Sequence, residues 1–264
     1  MRESRRGGNR IKMFSTFCSI MAVLLLANAT GRAGPADELI AKGNVYYETL
    51  NAPEALKYYL PAEKLEPENV RLLVRISREY RHLMSDAAKT EEKLRLGRIA
   101  VDYAKRAAAL APNGAEAQLA VAISYGKLQP LEGTKQKLDT SRIIKSQADK
   151  AIKLDPRSDI AWYVLGRWNF GYAELTGIKR KLVELTYGEV PTPPYEDAAK
   201  CFEKAIELKP DRLMHYIELG VTYSRMGRTA DARRVISHGL ALKETEKDDP
   251  ETKRRGKEEL AKLR

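Results

Sequence analysis

Residues 151–166 read AIKLDPRSDIAWYVLG. The stretch joins the end of one helix to the start of another. Pro156 has no amide hydrogen and pushes Asp155 out of the helical region, so the helical pattern carrying Ala151 stops there. Trp162, Leu165 and Gly166 then open a new helical phrase only a few residues on. Two helices this close in sequence pack as an antiparallel pair, which raises the question of whether the phrase recurs.

It occurs four times. AEKLEP ends at Pro67, AAALAP at Pro112, AIKLDP at Pro156 and AIELKP at Pro210, and each begins with an alanine (Ala62, Ala107, Ala151, Ala205). In the first unit Gly43, Tyr46, Ala55, Tyr59, Ala62 and Pro67 fall on a period of about 34 residues, that of the tetratricopeptide (TPR) repeat. The fourth unit opens with W-x2-L-G at Trp162–Gly166, with Asn169 where a tyrosine is usual; the fifth carries Tyr216, Leu219, Gly220, Tyr223 and Ala232. Five units follow, at 36–69, 70–114, 115–158, 159–212 and 213–246. The expected fold is all-α, a TPR-like right-handed helical solenoid of about five helix-turn-helix units.

The middle three units exceed the repeat length, by 11, 10 and 20 residues. Eleven residues make about three helical turns at 3.6 per turn, so such an excess lengthens helices while keeping their apolar stripes in phase. The runs from Thr90 and from Lys135 read as such lengthened helices. Unit four differs. Its first helix runs from Asp159 to about Leu175, and Ile178, Leu182 and Leu185 then share one face of a short amphipathic helix. GEVPTPP follows as an extended strap, with Thr192 placed to cap the next helix and Pro193 at its first position. Residues 247–264 read as a polar capping helix, capped by Asp249, at the end of the stack.

The N-terminal segment has its own pattern. Arg2, Arg5, Arg6, Arg10 and Lys12 precede an apolar run, Met13–Ala29, that ends in Ala27-Asn28-Ala29. This is the layout of a secretory signal peptide over 1–29, or of an uncleaved membrane anchor. The expected location is periplasmic or extracellular, with membrane association only if the leader is retained. The whole chain has 47 Lys and Arg against 36 Asp and Glu, a net +11. Without residues 1–29 it keeps +7 and one cysteine, Cys201, so packing alone must hold the exported fold.

Three longer phrases, SQADKAIKLDPRSDIAWYVLGRW, GIKRKLVELTYGEVPTPPYEDAAKCFEKAIELKP and ELGVTYSRMGRTADARRVI, together resemble the regulator of microtubule dynamics protein family, a TPR group, and the likeness runs from about Ala36 to the C-terminus. The most specific part is LGRW…G-E-x-P-T-x-x-Y-E-D-A at Leu165–Ala198. The resemblance implies a non-enzymatic interaction protein, associated in eukaryotes with microtubules and organelle membranes. Asn169 and the export-type leader depart from the family, and the leader marks an exported, bacterial-type member that would not meet cytoplasmic microtubules.

No catalytic constellation appears. His82, His215 and His238 lack metal-ligand spacing, Cys201 beside Phe202 reads as core packing, and no nucleophile elbow, HExxH motif or phosphate-cradling glycine loop is present. No cofactor is expected. What remains is a surface. In TPR stacks the first helix of each unit lines a concave groove, which here would carry Asn44 and Tyr47 from unit one and Arg71, Arg78, Arg81 and His82 from unit two. Unit three would add Leu119, Ile123 and Lys127; unit four Ile160, Tyr163, Arg167 and Phe170; unit five Met214, Ile217, Val221 and Arg225. Arginine holds carboxylate or phosphate bidentately, and the apolar strip would take a peptide side chain or an acyl chain, so the expected occupant is a protein segment in the concave groove. The alternative is a carrier of a lipid or other apolar ligand, with Ile178, Leu182, Leu185 and Tyr187 of the insert as a lid. The carboxylate clamp of chaperone-binding TPRs is not matched, because Ile40, Glu116 and Ala120 stand at its basic positions. Nucleic acid is not an expected partner, since the positive charge is dispersed and no aromatic-basic motif occurs.

Overall fold

The computed structural model describes residues 34–263, and the leader expected over 1–29 lies outside the described residues. Twelve α-helices make up the described residues, with one short 3-10 turn. Unit one pairs α1 (Pro35–Glu48) with α2 (Ala52–Leu65), and unit two pairs α3 (Val70–Asp86) with α4 (Thr90–Leu110). Unit three pairs α5 (Ala115–Leu128) with α6 (Thr134–Leu154). In unit four α7 (Asp159–Ala173) pairs with α9 (Tyr195–Leu208), and α8 (Gly177–Tyr187) stands between them in sequence. Unit five pairs α10 (Leu213–Arg225) with α11 (Thr229–Ala241), and α12 (Asp249–Lys262) follows.

The repeat phrase sets the breaks. Helices α2, α4, α6 and α9 end at 65, 110, 154 and 208, two residues before their prolines, and the next helix starts at 70, 115, 159 and 213. Where the linking residue is Asn69 or Ser158, its side chain accepts a hydrogen bond from the amide of Leu72 or Ala161 and satisfies an otherwise orphan donor.

Within a unit the close approach of the two helices is made by glycine. A Cβ at Gly43 would stand 2.4 Å from Tyr59, one at Gly166 2.6 Å from Phe202, and one at Gly220 2.3 Å from Ile236. Gly43 and Gly220 meet residues 16 positions on, whereas Gly166 meets one 36 on. The 20 extra residues of unit four are therefore spliced between paired positions without disturbing the pair. The extra length of units two and three goes into α4 and α6, each 21 residues against 14 in α2, and into α3 with 17. The added turns have their own core of Met84, Leu96, Val101 and Leu128.

Other apolar clusters follow one another along the stack, one at each junction between neighbouring units, as expected of a quasi-one-dimensional fold. Cys201 and Phe202 are buried on α9. Burial pushes the Cys201 thiol up to about 11, with the Asn169 amide 3.6 Å from its sulfur pulling slightly the other way.

Two boundaries differ from expectation. Helix α9 starts at Tyr195 with Pro194 at its cap, so Thr192 and Pro193 belong to the strap. Two successive prolines hold the chain extended for longer than one would. Helix α12 is capped at Asp248, and Asp249 instead turns its buried carboxylate back to accept from the amides of Thr245 and Glu246 at 2.7 and 2.8 Å. This curls the chain before the helix.

Candidate functional site

The first helices of successive units touch one another along the inner side, α3 with α5, α5 with α7 and α7 with α10. Helix α12 packs on α10 and α11 rather than standing clear as an end cap. Its Gly256 makes this possible, because a Cβ there would lie 2.7 Å from Ile217 Cδ1. Two buried carboxylates fix the helix to the inner side. Arg255 and Arg167 both donate to the fully buried Glu218, at 2.8 and 2.7 Å, so one carboxylate ties α7, α10 and α12 together. Glu259 accepts from Ser224 at 2.6 Å and from Arg225 at 2.7 Å. Burial alone would raise the Glu218 carboxyl, but Arg167 and Arg255 outweigh it and hold it below the usual carboxylate range.

The linker 242–248 between α11 and α12 then returns to unit two. Glu246 lies 3.3 Å from Arg212, at the cap of α10, and 3.6 Å from Arg78 on α3. Asp248 accepts from Ser85 of α3 at 3.1 Å and pairs with Lys127 of α5, while Lys247 reaches Asp86 at 2.8 Å. Burial works against the Asp248 charge, yet Lys127 and Ser85 bring its carboxyl below its ordinary value. Ser85 and Asp86 sit at the end of α3, which has 17 residues against 14 in α1, so the added length of unit two is what meets the linker. The polar chain extends both ways. Arg78 lies 4.2 Å over the Tyr47 ring, and Arg212 also bonds Asp159 at 3.1 Å, which in turn lies 2.8 Å from His215 Nε2. Burial lowers His215 further than Asp159 raises it, and because a carboxylate only accepts, Nε2 is the ring nitrogen that donates to Asp159.

The residues expected along the groove separate into two groups. Tyr47, Arg78, Lys127, Arg167 and Arg225 do converge on the inner side, where the chain's own linker or α12 already engages most of them. Others are not at an open surface. Asn44 accepts from Tyr59 at 2.8 Å inside unit one, because Tyr59 is wholly buried and its hydroxyl needs a partner. Arg81 is buried in the seam between α3 and α5, bonding Ser77 and Ser124 at 3.0 Å, and burial pushes it down to about 10. Leu119 belongs to the core between units three and four, with Ile123 and Ile160 half-buried beside it. Ile217 and Val221 are buried in the last core cluster, with Tyr163 and Phe170 packed against it, while Arg71 is exposed.

The insert carries the opposite surprise. Ile178 and Leu185 of α8 are each 86% exposed and Leu182 62%, so these side chains cover nothing. Tyr187 is also exposed. The helix is held from its other face, where Arg180 pairs with Glu184 at 2.9 Å and donates to the Val190 carbonyl of the strap at 2.6 Å.

Sequence reasoning passed over Glu218, Glu246, Asp248 and Glu259. The only available signal was the run of acidic residues before α12, which reads locally as a helix start. Glu79, fully buried on α3 with His82 at 3.7 Å, was also missed. Among the described residues no cluster of His, Cys, Asp or Glu could hold a metal ion, and no helix is long and apolar enough to cross a membrane.

Solved structures share this architecture. A thermophilic TPR protein of Thermus thermophilus aligns over 86% of this chain and 99% of its own, with a TM-score of 0.59 at 19% identity. MamA of Desulfovibrio magneticus aligns over 80% and 97%, with a TM-score of 0.52 at 16% identity. Both likenesses speak to the fold alone. Among sequences, mouse regulator of microtubule dynamics protein 1 is 30% identical over 216 residues, 81% of this chain and 68% of the relative. Rat regulator of microtubule dynamics protein 2 is 25% identical over 198 residues, 75% of this chain, and the match spans only about half of that longer relative, 48%. The profile of regulator of microtubule dynamics protein 1-3 matches residues 35–264, nearly the whole described fold, and the chain belongs to that family.

Proposed function

We propose that this chain is a non-catalytic scaffold whose inner face holds an extended segment of a partner protein. One observation carries the reading: Arg78, Lys127 and Arg212 on the inner face already hold carboxylates presented by an irregular stretch of chain, while Arg167 and Arg225 beside them hold Glu218 and Glu259 of the neighbouring helices. Arginine forks suit that task, since they grip carboxylates directionally and keep their charge when partly buried. Family membership and TPR-like architecture support protein partners in general. The leader-like N-terminus supports a place in the cell envelope, which N-terminal sequencing of the exported fraction would test.

The carrier of an apolar ligand gains nothing from the packing, because Ile217 lies under α12, Val221 is buried in the last core cluster, and Ile178, Leu182 and Leu185 of α8 face solvent. The scaffold reading is tested by capturing partners from the envelope fraction on the purified chain and on its Arg78→Glu and Arg167→Glu variants. Loss of specific partners with both substitutions is expected. Equal recovery by all three proteins would overturn it.

A further inference from the structure

The linker between α11 and α12 has the sequence Leu242-Lys-Glu-Thr-Glu-Lys-Asp248 and no regular structure over most of its length. Its two inward carboxylates, Glu246 and Asp248, are two residues apart in a turn closed by the Asp249 amide on the Glu246 carbonyl at 3.1 Å, and both reach the inner side from that turn. The first meets Arg78 and Arg212, the second Lys127 and Ser85. These four residues come from two different helices and one helix cap, and the linker is what brings them to one site.

We propose that residues 242–248 are a built-in occupant of the inner face, and that the face accepts in their place an acidic protein segment carrying two carboxylates at the same i, i+2 spacing. The inference rests on the scaffold reading and names the chemistry of its partner. Charge complementarity selects the occupant. Among the described residues, the vacated site would offer Arg78, Arg212 and Lys127, against Asp159, which already serves His215, and Asp86, which Lys247 of the linker would leave behind.

The linker is built to lift. The Glu246 contacts, at 3.3 and 3.6 Å, are longer than a close bidentate pair, and the Asp248 side chain is half exposed. Its C-terminal end is fixed more firmly, where Gly256 is buried against Ile217 and Glu259 is locked to Ser224 and Arg225. The segment can thus leave as a loop while α11 and α12 stay docked. Tethering gives it an effective concentration on the order of millimolar, which a free partner must exceed. Weak binding by the resting chain and stronger binding by a chain with a neutralised linker follow.

The test uses the full chain and a fluorescent peptide of residues 242–250, LKETEKDDP, followed by anisotropy at low salt. The near-isosteric variant Glu246→Gln with Asp248→Asn removes the two charges and little else. It is expected to bind the peptide at least tenfold more tightly than the unaltered chain. The affinity should fall as salt rises, and adding Arg78→Ala should abolish it. A peptide with lysines at the two acidic positions should not bind. Circular dichroism and the unfolding midpoint establish that the variant is folded; if it is not, the single change Lys127→Met, which also frees Asp248, is expected to raise hydrogen exchange across 243–248 selectively. Equal peptide binding by variant and unaltered chain would overturn the proposal, as would no binding by either. If the peptide fails while Arg78→Glu still loses envelope partners, only the linker inference falls. If the peptide binds and no partner is lost, only the scaffold reading falls.

Discussion

Helix α7 offers two glycines five residues apart for which the same substitution should have opposite signs. A Cβ at Gly166 would lie 2.6, 2.8 and 3.0 Å from three ring atoms of Phe202, while one at Gly171 would meet nothing within 4 Å. Carbon atoms rest at about 3.5–4.0 Å, so Gly166→Ala requires the ring to move by about 1 Å. Phe202 is fully buried in the core of units four and five, with the Tyr163 ring centred 6.0 Å away, and has little room to do so. Overpacking of a rigid ring costs about 2–3 kcal/mol, near the top of the usual range. Alanine returns about 1 kcal/mol through its better helix propensity. The net loss is about 1–2 kcal/mol, a fall of about 2–8 °C in Tm for a domain of this size. Gly171→Ala keeps only the favourable part, about 0.4–1 kcal/mol, because the backbone there is not in the left-handed region. Urea unfolding followed by circular dichroism measures both, read as a change in midpoint at constant slope. Phe202→Leu combined with Gly166→Ala should recover part of the loss, since the clashing edge is gone. A Gly166→Ala chain as stable as the unaltered one would refute the view that this close approach sets the helix pair.

Two further outcomes follow from the same packing. The Glu218 carboxyl is depressed by Arg167 and Arg255, so its contribution is complete above the ordinary carboxylate range and is lost as pH falls through its lower folded value. Stability measured between pH 7 and pH 3 should therefore fall more steeply for the unaltered chain than for Glu218→Gln, with the two curves drawing together as pH falls below the ordinary carboxylate range; parallel curves would contradict the clamp. Ile178→Ser and Leu185→Ser remove side chains that stand in solvent, and each should change stability by less than about 0.5 kcal/mol in a thermal melt. A loss above about 1 kcal/mol would mean that α8 packs its apolar face against the body.

The features legible in the sequence were those with a local cause. Pro67, Pro112, Pro156 and Pro210 end helices by removing a donor, Gly43, Gly166 and Gly220 leave space for a specific partner, and apolar spacing keeps the lengthened helices in phase. Each of these acts within a unit or between neighbours, so the repeat register, the helix pairing and the insertion in unit four could be read directly. The strap shows the limit of local reading, because Thr192 looks like a cap until two prolines carry the chain past it.

The inner face had no such signal. Asp248 meets Ser85 across 163 positions and Lys127 across 121, and these meetings depend on the small rotation of each unit summed over the stack. No residue encodes that sum. A modest error per unit would send the linker past α3 altogether, and Arg78 would then stand free. The helical solenoid and the family were therefore determined by the sequence alone, whereas the meeting of the chain's own acidic linker with Arg78, Lys127 and Ser85 was decided only by how the units stack in the folded chain.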